Sequence, residues 1–317
     1  MVKRLLLAAP RGYCAGVERA VETVEQALEL YGKPVFVRKQ IVHNSHVVRG
    51  LEARGAVFVD SVTDVPAGST LVFSAHGVAP AVRAEAGARA LRTIDATCPL
   101  VTKVHAQARR YAREGYAVVL IGHAGHEEVE GTLGEAPDSI VLVESTADAE
   151  RIHLPAGRPL AYITQTTLSV DETNEIVAVL RRRFPRIVGP PKKDICYATS
   201  NRQWAVKELL DEIDLLLVIG SRNSSNSNRL VEVARAAGVD AHLVEDETQI
   251  DERWLAGRES VGLTSGASAP ERLVERVCAW FRARGVAEVR ELRSAHEDVV
   301  FRLPVELRRA KAHRSAA

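Results

Sequence analysis

The chain has 317 residues, of which 46% are hydrophobic and 26% are charged, so it is long enough for two or three domains with well-buried cores. Lysine and arginine (42) nearly balance aspartate and glutamate (41), and a net charge of +1 gives no reason to expect nucleic acid or a membrane surface as a partner. The apolar start resembles a secretory signal but is interrupted at Pro10, and no stretch is long enough to span a bilayer. These features predict a soluble cytoplasmic protein whose four cysteines are thiols or metal ligands rather than disulfides.

Short apolar runs along the chain predict buried strands, each followed by a polar loop or turn. Helical periodicity lies between many of them, which is the pattern of parallel sheets covered by helices on both faces. The predicted strands are residues 5–9, 35–37, 71–73, 117–121, 160–163, 215–219 and 261–263.

A cysteine stands at three predicted strand-to-helix junctions, at Cys14, Cys98 and Cys196. Gly122 and Gly220 each follow their cysteine by 24 residues, so the same order of strand, helix and loop recurs. The repeat predicts an α/β fold of three small modules with parallel sheets, in a pseudo-threefold arrangement around one shared site at the carboxyl ends of the strands.

The predicted segments are 1–93 with Cys14, 94–191 with Cys98, 192–283 with Cys196, and 284–317 as a C-terminal strand and tail. Residues 189–193 form the clearest linker, whereas the boundary near residue 93 has no comparable proline or glycine punctuation. Residues 299–304 predict the last strand, and the basic end after them is expected to fray.

Three cysteines in equivalent positions predict a metal site, because packing does not require the same thiol three times. Structural zinc usually has four ligands in local pairs, and the sequence has no such pair. Iron-sulfur clusters are normally held by four thiolates, so three would leave one iron open to bind a substrate and pass electrons. Cys278 shares the apolar face of a predicted helix with Leu273 and Phe281 and is interpreted as a core residue.

The polar loops carry compact hydrogen-bond donors, several of them just before a predicted helix, where backbone N–H groups favour an anion. Each residue taken alone is more often an ordinary helix cap, but a set spread over three modules is harder to explain in that way. Since no Walker-type sequence is present, the pattern predicts a phosphate or diphosphate that is held without a P-loop. The candidate binding residues are His43, His76, His126, Ser224, Ser225, Asn226 and Ser268.

Glu128 follows His126 by two residues and is the candidate proton donor, because an enclosed carboxyl can be tuned for that work. The alternative interpretation is a solvated glutamate within an acidic run. Thr166 could orient the substrate or relay a proton, and a helix cap is the alternative there.

Motifs along nearly the whole chain resemble those of the 4-hydroxy-3-methylbut-2-enyl diphosphate reductases, iron-sulfur enzymes of the non-mevalonate isoprenoid pathway. The motifs are PRGYCAGV (10–17), IVHN (41–44), SAHGV (74–78), DATCP (95–99), GHEEVEGT (125–132), TQTTLS (164–169), CYAT (196–199), NSSNS (223–227) and TSGAS (264–268). The chain departs from the family pattern at Glu127, where proline is more common, and Glu128 is the glutamate in register with His126.

The resemblance implies one 4Fe-4S cluster ligated by Cys14, Cys98 and Cys196, whose open iron takes the allylic hydroxyl of the substrate. Two electrons and two protons would remove that hydroxyl as water and give isopentenyl diphosphate and dimethylallyl diphosphate. The seven candidate binding residues would hold the diphosphate, Glu128 would deliver protons, and Thr166 would assist the hydroxyl. A ferredoxin or flavodoxin is implied as the electron donor, and no GxGxxG motif indicates a nicotinamide or flavin site in the chain itself.

Two other functions remain open on the residues alone. One is an iron-sulfur dehydratase or condensing enzyme resembling quinolinate synthase, whose substrate would be a carboxylate. The other is a non-enzymatic iron-sulfur sensor or zinc-stapled scaffold, which would have no need of Glu128 and Thr166 beside the anion loops.

Overall fold

The computed structural model describes residues 2–155 and 157–316, and within these ranges it has twelve strands and eleven α-helices. The strands are β1 (Arg4–Ala9), β2 (Val35–Arg38), β3 (Ala56–Val59), β4 (Thr70–Phe73), β5 (Arg92–Asp95), β6 (Ala117–Ile121), β7 (Ile140–Val143), β8 (Leu160–Thr164), β9 (Leu215–Ile219), β10 (Asp240–Val244), β11 (Ser260–Ser265) and β12 (Glu288–Arg293). The helices are α1 (Ala15–Tyr31), α2 (Ser45–Arg54), α3 (Pro80–Ala88), α4 (Pro99–Arg113), α5 (Glu127–Leu133), α6 (Thr146–Arg151), α7 (Val170–Arg183), α8 (Tyr197–Leu209), α9 (Ser225–Ala236), α10 (Glu271–Arg282) and α11 (Val305–Ala316). No helix in the described ranges is long and apolar enough to cross a membrane.

The chain divides into two compact units, and the first contains a five-stranded parallel sheet in the order β10-β9-β11-β1-β12. This first unit consists of residues 2–15, His43–Val47 and Tyr197–Val300. One face of the sheet packs against α10 through residues such as Leu217, and the other packs against α8 and α9 through residues such as Leu216. Burial on both faces explains why the central strands are continuous apolar runs.

The second unit contains two smaller parallel sheets, in the orders β3-β2-β4-β5 and β7-β6-β8. It consists of the described residues of Gly16–Val42 and Val48–Cys196 together with residues 301–316. The β7-β6-β8 sheet buries one face against α4 and α5 and the other against α7. Three parallel sheets are therefore present in the described part of the chain, which confirms the predicted α/β class.

Seven of the eight predicted strands are confirmed, and they are β1, β2, β4, β6, β8, β9 and β11. The five strands that the sequence pattern missed, β3, β5, β7, β10 and β12, all lie at sheet edges. Helices cover an edge strand less completely than a central one, so its residues need not be apolar throughout. In β12, for example, Glu288, Glu291 and Arg293 are exposed.

The last strand predicted over residues 299–304 is wrong, because that segment has neither helix nor strand and Val300 is 88% exposed. The final strand is β12, whose charged residues hid it from the hydrophobic pattern. The basic end that was expected to fray forms α11, which starts directly after Pro304 and buries Leu307 completely. Proline before the first turn and Glu306 within it are both compatible with a helix start.

The sheets cross the predicted segment boundaries at two points. The strand β5 continues through residue 93 and pairs with β4, so the first boundary falls inside a strand. The strand β1 pairs with β11 and β12, although the sequence predicts it in the same module as β2 and β4. Leu5–Ala9 are buried throughout, and two flanking strands supply that burial. The boundary at residue 191 stays a prediction and lies in an irregular stretch.

Candidate active site

Each of the three predicted iron ligands lies at the start of a helix. Cys14 and Cys196 directly precede α1 and α8, and Cys98 is the N-cap residue of α4. All three are partly exposed, and no cysteine in the described ranges forms a disulfide. The partial positive charge of a helix start favours the thiolate, which is the form that binds metal. The three thiols therefore have the chemistry that ligation requires.

Cys278 has the opposite surroundings. It is buried on α10 in the core of the first unit, as predicted, in the same cluster as Leu273 and Phe281. Burial raises the pKa of its thiol, which disfavours the thiolate. A buried thiol in an apolar core is a packing residue rather than a ligand.

In the first unit, the loop that carries Cys14 is bonded to the end of β11 and the loop after it. The amide of Gly12 donates to Ser265 Oγ at 2.8 Å, and the amide of Cys14 donates to the carbonyl of Ala267 at 3.2 Å. Gly12 has a φ of +71°, a conformation that glycine adopts without strain. The end of β11 and the loop after it thus fix the backbone on both sides of Tyr13.

A fully buried guanidinium, that of Arg202, supports the same loop. Its Nη2 donates to the carbonyl of Gly12 at 2.8 Å, and its Nη1 lies 3.0 Å from Oε1 of Glu297. A buried charge is tolerated when it is paired and hydrogen-bonded, and removing one partner of such a pair is strongly destabilising. Sequence periodicity gave no sign of Arg202, because its partners lie 95 and 190 residues away.

In the second unit, Cys98 and Cys196 make the same kind of backbone bond as Cys14. The amide of Cys98 donates to the carbonyl of Ala75 at 2.9 Å, and the amide of Cys196 donates to the carbonyl of Thr166 at 3.0 Å. In all three cases the acceptor lies in a loop that carries a predicted substrate residue. The recurrence of this bond agrees with the repeat that the sequence shows.

A second link joins the helix that follows Cys98 to the segment that precedes Cys196. The ammonium group of Lys103 lies 3.0 Å from Oδ1 of Asp194 and donates to the carbonyls of the two residues before it. The other carboxylate oxygen of Asp194 accepts the amide at the end of β8 at 3.1 Å. Asp194 is buried, so this ion pair is shielded from solvent on the carboxylate side. Lys103 belongs to the stretch around Cys98 but had no predicted role.

Glu128 is enclosed rather than solvated, with 2% of its surface exposed. Its Oε1 accepts the amide of Thr166 at 2.7 Å, and its Oε2 accepts the hydroxyl of Thr166 at 3.0 Å. Burial raises the pKa of the Glu128 carboxyl. The hydrogen bonds from Thr166 lower this pKa but do not offset the effect of burial. The alternative of a solvated glutamate is therefore wrong. Thr166 is not a helix cap either, since Ser169 caps α7.

The bond between Glu128 and Thr166 can reverse when the carboxyl takes up a proton. A hydroxyl both donates and accepts, so a proton on Oε2 of Glu128 can be donated to Oγ1 of Thr166. The hydroxyl proton of Thr166 then becomes available to another acceptor. The pair can in this way pass a proton outward from a buried acid.

His126 caps α5 through its ring, because Nδ1 accepts the amide of Glu128 at 3.1 Å. Burial, with the neighbouring rings of His76 and His123, lowers the pKa of His126 to about 3. The ring is therefore neutral at pH 7, and its proton is on Nε2 because Nδ1 is an acceptor. The structure makes His126 a neutral N–H donor.

The ring of His76 lies beside that of His126, with centroids 5.7 Å apart and planes at 85°. Its Nδ1 is 3.2 Å from Oε2 of Glu127. Glu127, the residue that departs from the family pattern, is thus a partner of a predicted binding residue. Nothing in the sequence pattern predicted this contact between Glu127 and His76.

Replacing His126 with Asn is expected to make stability less sensitive to acid. Asn also caps helices well, but it does not titrate. In the wild type the unfolded ring takes up a proton near its ordinary pKa of 6.5, whereas the folded ring, with a pKa of about 3, stays neutral until about pH 3. The contribution of this group to stability is fully present above the unfolded pKa and is lost as pH falls. The free energy of unfolding is expected to decrease by about 2 kcal/mol between pH 7 and pH 5 because of it. Urea unfolding of the wild type and the variant at pH 7 and pH 5 measures this loss. If the free energies of unfolding of the two proteins differed by the same amount at both pH values, the neutral ring would be contradicted.

In the first unit, His43 is held by two neighbouring loops. Its Nδ1 accepts from Nδ2 of Asn223 at 3.2 Å, and its carbonyl accepts the hydroxyl of Ser268 at 2.9 Å. Because Nδ1 is an acceptor, a neutral ring carries its proton on Nε2, as in His126. Asn223 is the first residue of the NSSNS motif (223–227) but was not among the predicted site residues.

The start of α9 supplies the remaining donors. Ser224 is the N-cap, and its oxygen accepts both the amide and the hydroxyl of Ser227, which leaves its own hydroxyl proton for another acceptor. Asn226 accepts the amide of Ala267 at 2.9 Å, next to Ser268. Ser225 is the first residue of the helix. Ser224 is thus an ordinary helix cap as well as a candidate anion donor.

The predicted residues are divided between the two units. The first unit contains Cys14, His43, Ser224, Ser225, Asn226 and Ser268. The second unit contains Cys98, Cys196, His76, His126, Glu128 and Thr166. Neither set contains a predicted residue that is left in a remote core.

A family model described as LytB protein matches residues 5–282. The chain is similar to the 4-hydroxy-3-methylbut-2-enyl diphosphate reductases of Acidothermus cellulolyticus (61% identity over 97% of this chain and 91% of that protein) and Streptomyces avermitilis (55% identity over 99% and 94%).

The fold is similar to two solved structures. The E-1-hydroxy-2-methyl-but-2-enyl-4-diphosphate reductase of Plasmodium falciparum superposes with a TM-score of 0.97 at 39% identity, over 99% of this chain and 100% of that one. A second structure, of an (E)-4-hydroxy-3-methyl-but-2-enyl diphosphate reductase, has a TM-score of 0.62 at 31% identity, over 89% and 100%. These similarities confirm the resemblance seen in the motifs. The chain belongs to the LytB protein family, together with these 4-hydroxy-3-methylbut-2-enyl diphosphate reductases.

Proposed function

We propose that this chain reduces 4-hydroxy-3-methylbut-2-enyl diphosphate to isopentenyl diphosphate and dimethylallyl diphosphate, with two electrons and two protons and with release of water. Family membership supports the reaction. In the chain itself, the observation that carries the proposal is the hydrogen-bonded series from Glu128 to Thr166 to the amide of Cys196. It connects a buried acid to a cysteine at a helix start, which a sensor or scaffold would not need.

In this proposal Cys14, Cys98 and Cys196 hold a single 4Fe-4S cluster. The donor set suits the group, since all three thiols are partly exposed and precede helices, whereas Cys278 is buried in the core. When bound, such a cluster supplies electrons and one iron with an open coordination position. The ammonium group of Lys103 and the guanidinium of Arg202 would support the backbone on which the thiols lie.

The binding residues would hold the diphosphate through ring N–H, hydroxyl and amide donors. His126 offers Nε2–H because its Nδ1 already accepts a backbone amide, and His43 does so because its Nδ1 accepts from Asn223. Ser224 offers a hydroxyl proton at the amino end of α9, where the helix dipole also favours an anion. His76, Ser225, Asn226 and Ser268 complete the proposed set.

Glu128 would supply protons through the hydroxyl of Thr166. A carboxyl with a raised pKa keeps its proton at higher pH than an exposed one does, which suits a general acid. The amide of Thr166 fixes Oε1, so the proton is carried on Oε2, which faces the hydroxyl. A ferredoxin or flavodoxin would be the external electron donor, and the protein is expected in the cytoplasm.

The proposal predicts about four irons and four acid-labile sulfides per chain in protein purified without air, and an EPR spectrum of the reduced protein that changes when substrate is added. Inorganic diphosphate should compete with the substrate, whereas a dicarboxylate should not. Dithionite-reduced protein should form both products. Zinc in place of iron, a spectrum that substrate does not alter, or competition by dicarboxylates alone would contradict the proposal.

A further inference from the structure

We propose that His105 is a positioning residue, whose ring edge sets the spacing between the loop of His76 and the helix of Glu128. The inference rests on the proposed function of those two residues. His105 ends the stretch around Cys98 that dominates the sequence, yet the proposed reaction gives it no role.

His105 is a buried, oriented side chain on α4, with 3% of its surface exposed. Its Nδ1 lies 2.7 Å from Oε1 of Glu135, and the other oxygen of that carboxylate lies 2.7 Å from Nη1 of Arg109. The side chain of Glu135 is itself buried, whereas that of Arg109 is about half exposed. The carboxylate therefore fixes one side of the ring and determines which edge points the other way.

That other edge, Cε1 and Nε2, lies against two glycines. A methyl group built on Gly77 would lie 3.0 Å from Cε1 and 3.2 Å from Nε2, and one built on Gly131 would lie 3.2 and 3.3 Å from the same atoms. These distances are shorter than ordinary van der Waals contact, so the ring fills the space that the missing side chains leave. The carbonyl carbon of Gly77 would itself lie only 3.5 Å from the methyl on Gly131. The ring edge, Gly77 and Gly131 thus meet at one point.

Each glycine is close in sequence to a residue of the proposed mechanism. Gly77 follows His76 directly, and Gly131 follows Glu128 by three residues on α5. The contact between Nδ1 of His76 and Oε2 of Glu127 joins the same two elements on another side. A shift of the ring would therefore move the diphosphate donor and the acid together.

The ring acts on the glycines by contact and not by hydrogen bonding. Its Nε2 is buried and has no hydrogen-bond partner among residues 2–155 and 157–316. A histidine meets both demands of the position, because Nδ1–H satisfies the buried carboxylate while the rigid opposite edge occupies the gap. An aliphatic side chain would leave Glu135 without its buried donor, and such a loss is costly.

A double-mutant cycle between His105 and Gly131 tests the contact. In the wild-type background, Gly131→Ala brings a methyl against the ring, and kcat for the diphosphate substrate is expected to fall about 10- to 100-fold, the cost of a small displacement of reacting groups. His105→Ser alone is expected to lower kcat and raise KM, because both elements lose their spacer. In the His105→Ser background the methyl has room, so Gly131→Ala should cause little further loss. Gly131 is not at positive φ, so the substitution brings no backbone strain of its own.

Two control variants are available in the same chain. Gly87→Ala lies within α3, where an added methyl meets nothing within 4 Å, and should leave kcat unchanged. Arg109→Gln removes the exposed partner of Glu135 without touching the ring edge, and should change kcat less than threefold. If His105→Ser does not fold, His105→Gln replaces it, since an amide can still donate to Glu135 but lacks the rigid edge.

Additive losses from Gly131→Ala and His105→Ser would overturn the proposal, as would iron loss in His105→Ser that matches its loss of activity, because His105 would then act on Cys98. The same double-mutant cycle is also measured through the midpoint of thermal unfolding and through the Kd for inorganic diphosphate of the iron-loaded protein. If the wild type showed no turnover, the proposed function would fail, while non-additivity in the midpoint would still support the spacer. In that case additivity in both the midpoint and the Kd would refute the spacer.

Discussion

Glu128→Gln is expected to lose turnover by about 10²- to 10⁴-fold, the usual contribution of a positioned general acid. The amide can keep both contacts, because its carbonyl accepts the amide of Thr166 and its NH₂ donates to the hydroxyl. Iron content and the Kd for inorganic diphosphate should therefore stay within about twofold of the wild type. Steady-state kinetics on the iron-loaded protein gives the decisive number.

Stability provides a second signature of the same substitution. The buried carboxyl has its pKa raised above the unfolded value of 4.5, so the wild type loses stability as pH rises from that value through the folded pKa. The amide has no charge to bury, so the variant should melt at the same temperature or higher at pH 7, and this advantage should shrink below about pH 4.5. Glu130→Gln, an exposed neighbour on α5, is the matched control and should change neither property. Near wild-type turnover in Glu128→Gln would remove the acid from the proposal.

The buried parts of the fold could be predicted from the sequence, because burial on two faces leaves a pattern in the chain. Strands such as β6 and β9 are continuous apolar runs, and their length and order indicated parallel sheets. The edge strand β12 carries no such pattern, since only part of it is covered. The placement of β1 beside β11 was also out of reach, because local patterns say nothing about which distant strand is the neighbour.

The candidate site shows the same division between local and distant information. Its cysteines, histidines and serines could be found, because they stand in motifs at strand ends, where parallel sheets place their ligands. Their supports could not be found. Lys103 bonds to residues 89 and 90 positions away, and Asn223 bonds to His43 across 180 positions. A sequence shows which residues have suitable chemistry, whereas only the folded backbone shows which charges and amides hold them.

Glu128 illustrates where burial decides between two readings of one residue. It stands in the run Glu127–Glu130 with two other glutamates, and composition alone gives all three the same chance of being solvated. The helix α5 turns Glu128 inward, while Glu130 stays exposed. The difference follows from helical geometry, because residues two apart lie on opposite sides of a helix.

Replacement of any one of Cys14, Cys98 and Cys196 by serine is expected to remove most of the iron and to abolish turnover. Two thiolates remain in each variant, and serine has no thiolate to replace the third iron ligand. Each variant should nevertheless fold, because all three side chains are partly exposed and the loop bonds are made by backbone amides. Iron and sulfide analysis, with the melting temperature of the iron-free wild type as reference, measures both parts.

Cys278→Ser is the matched control for these three substitutions, and it separates ligation from packing. It should keep the full iron content, but it places a hydroxyl in the apolar core around α10 and should cost about 1–3 kcal/mol of unfolding free energy. The expected results are therefore opposite. The three ligand variants lose iron with little change in the stability of the iron-free chain, whereas Cys278→Ser loses stability with no change in iron content. Iron loss in Cys278→Ser, or retained iron in any of the other three, would show that the ligands have been assigned to the wrong thiols. The opposition follows from burial alone, since a thiol can serve a core or a metal but not both.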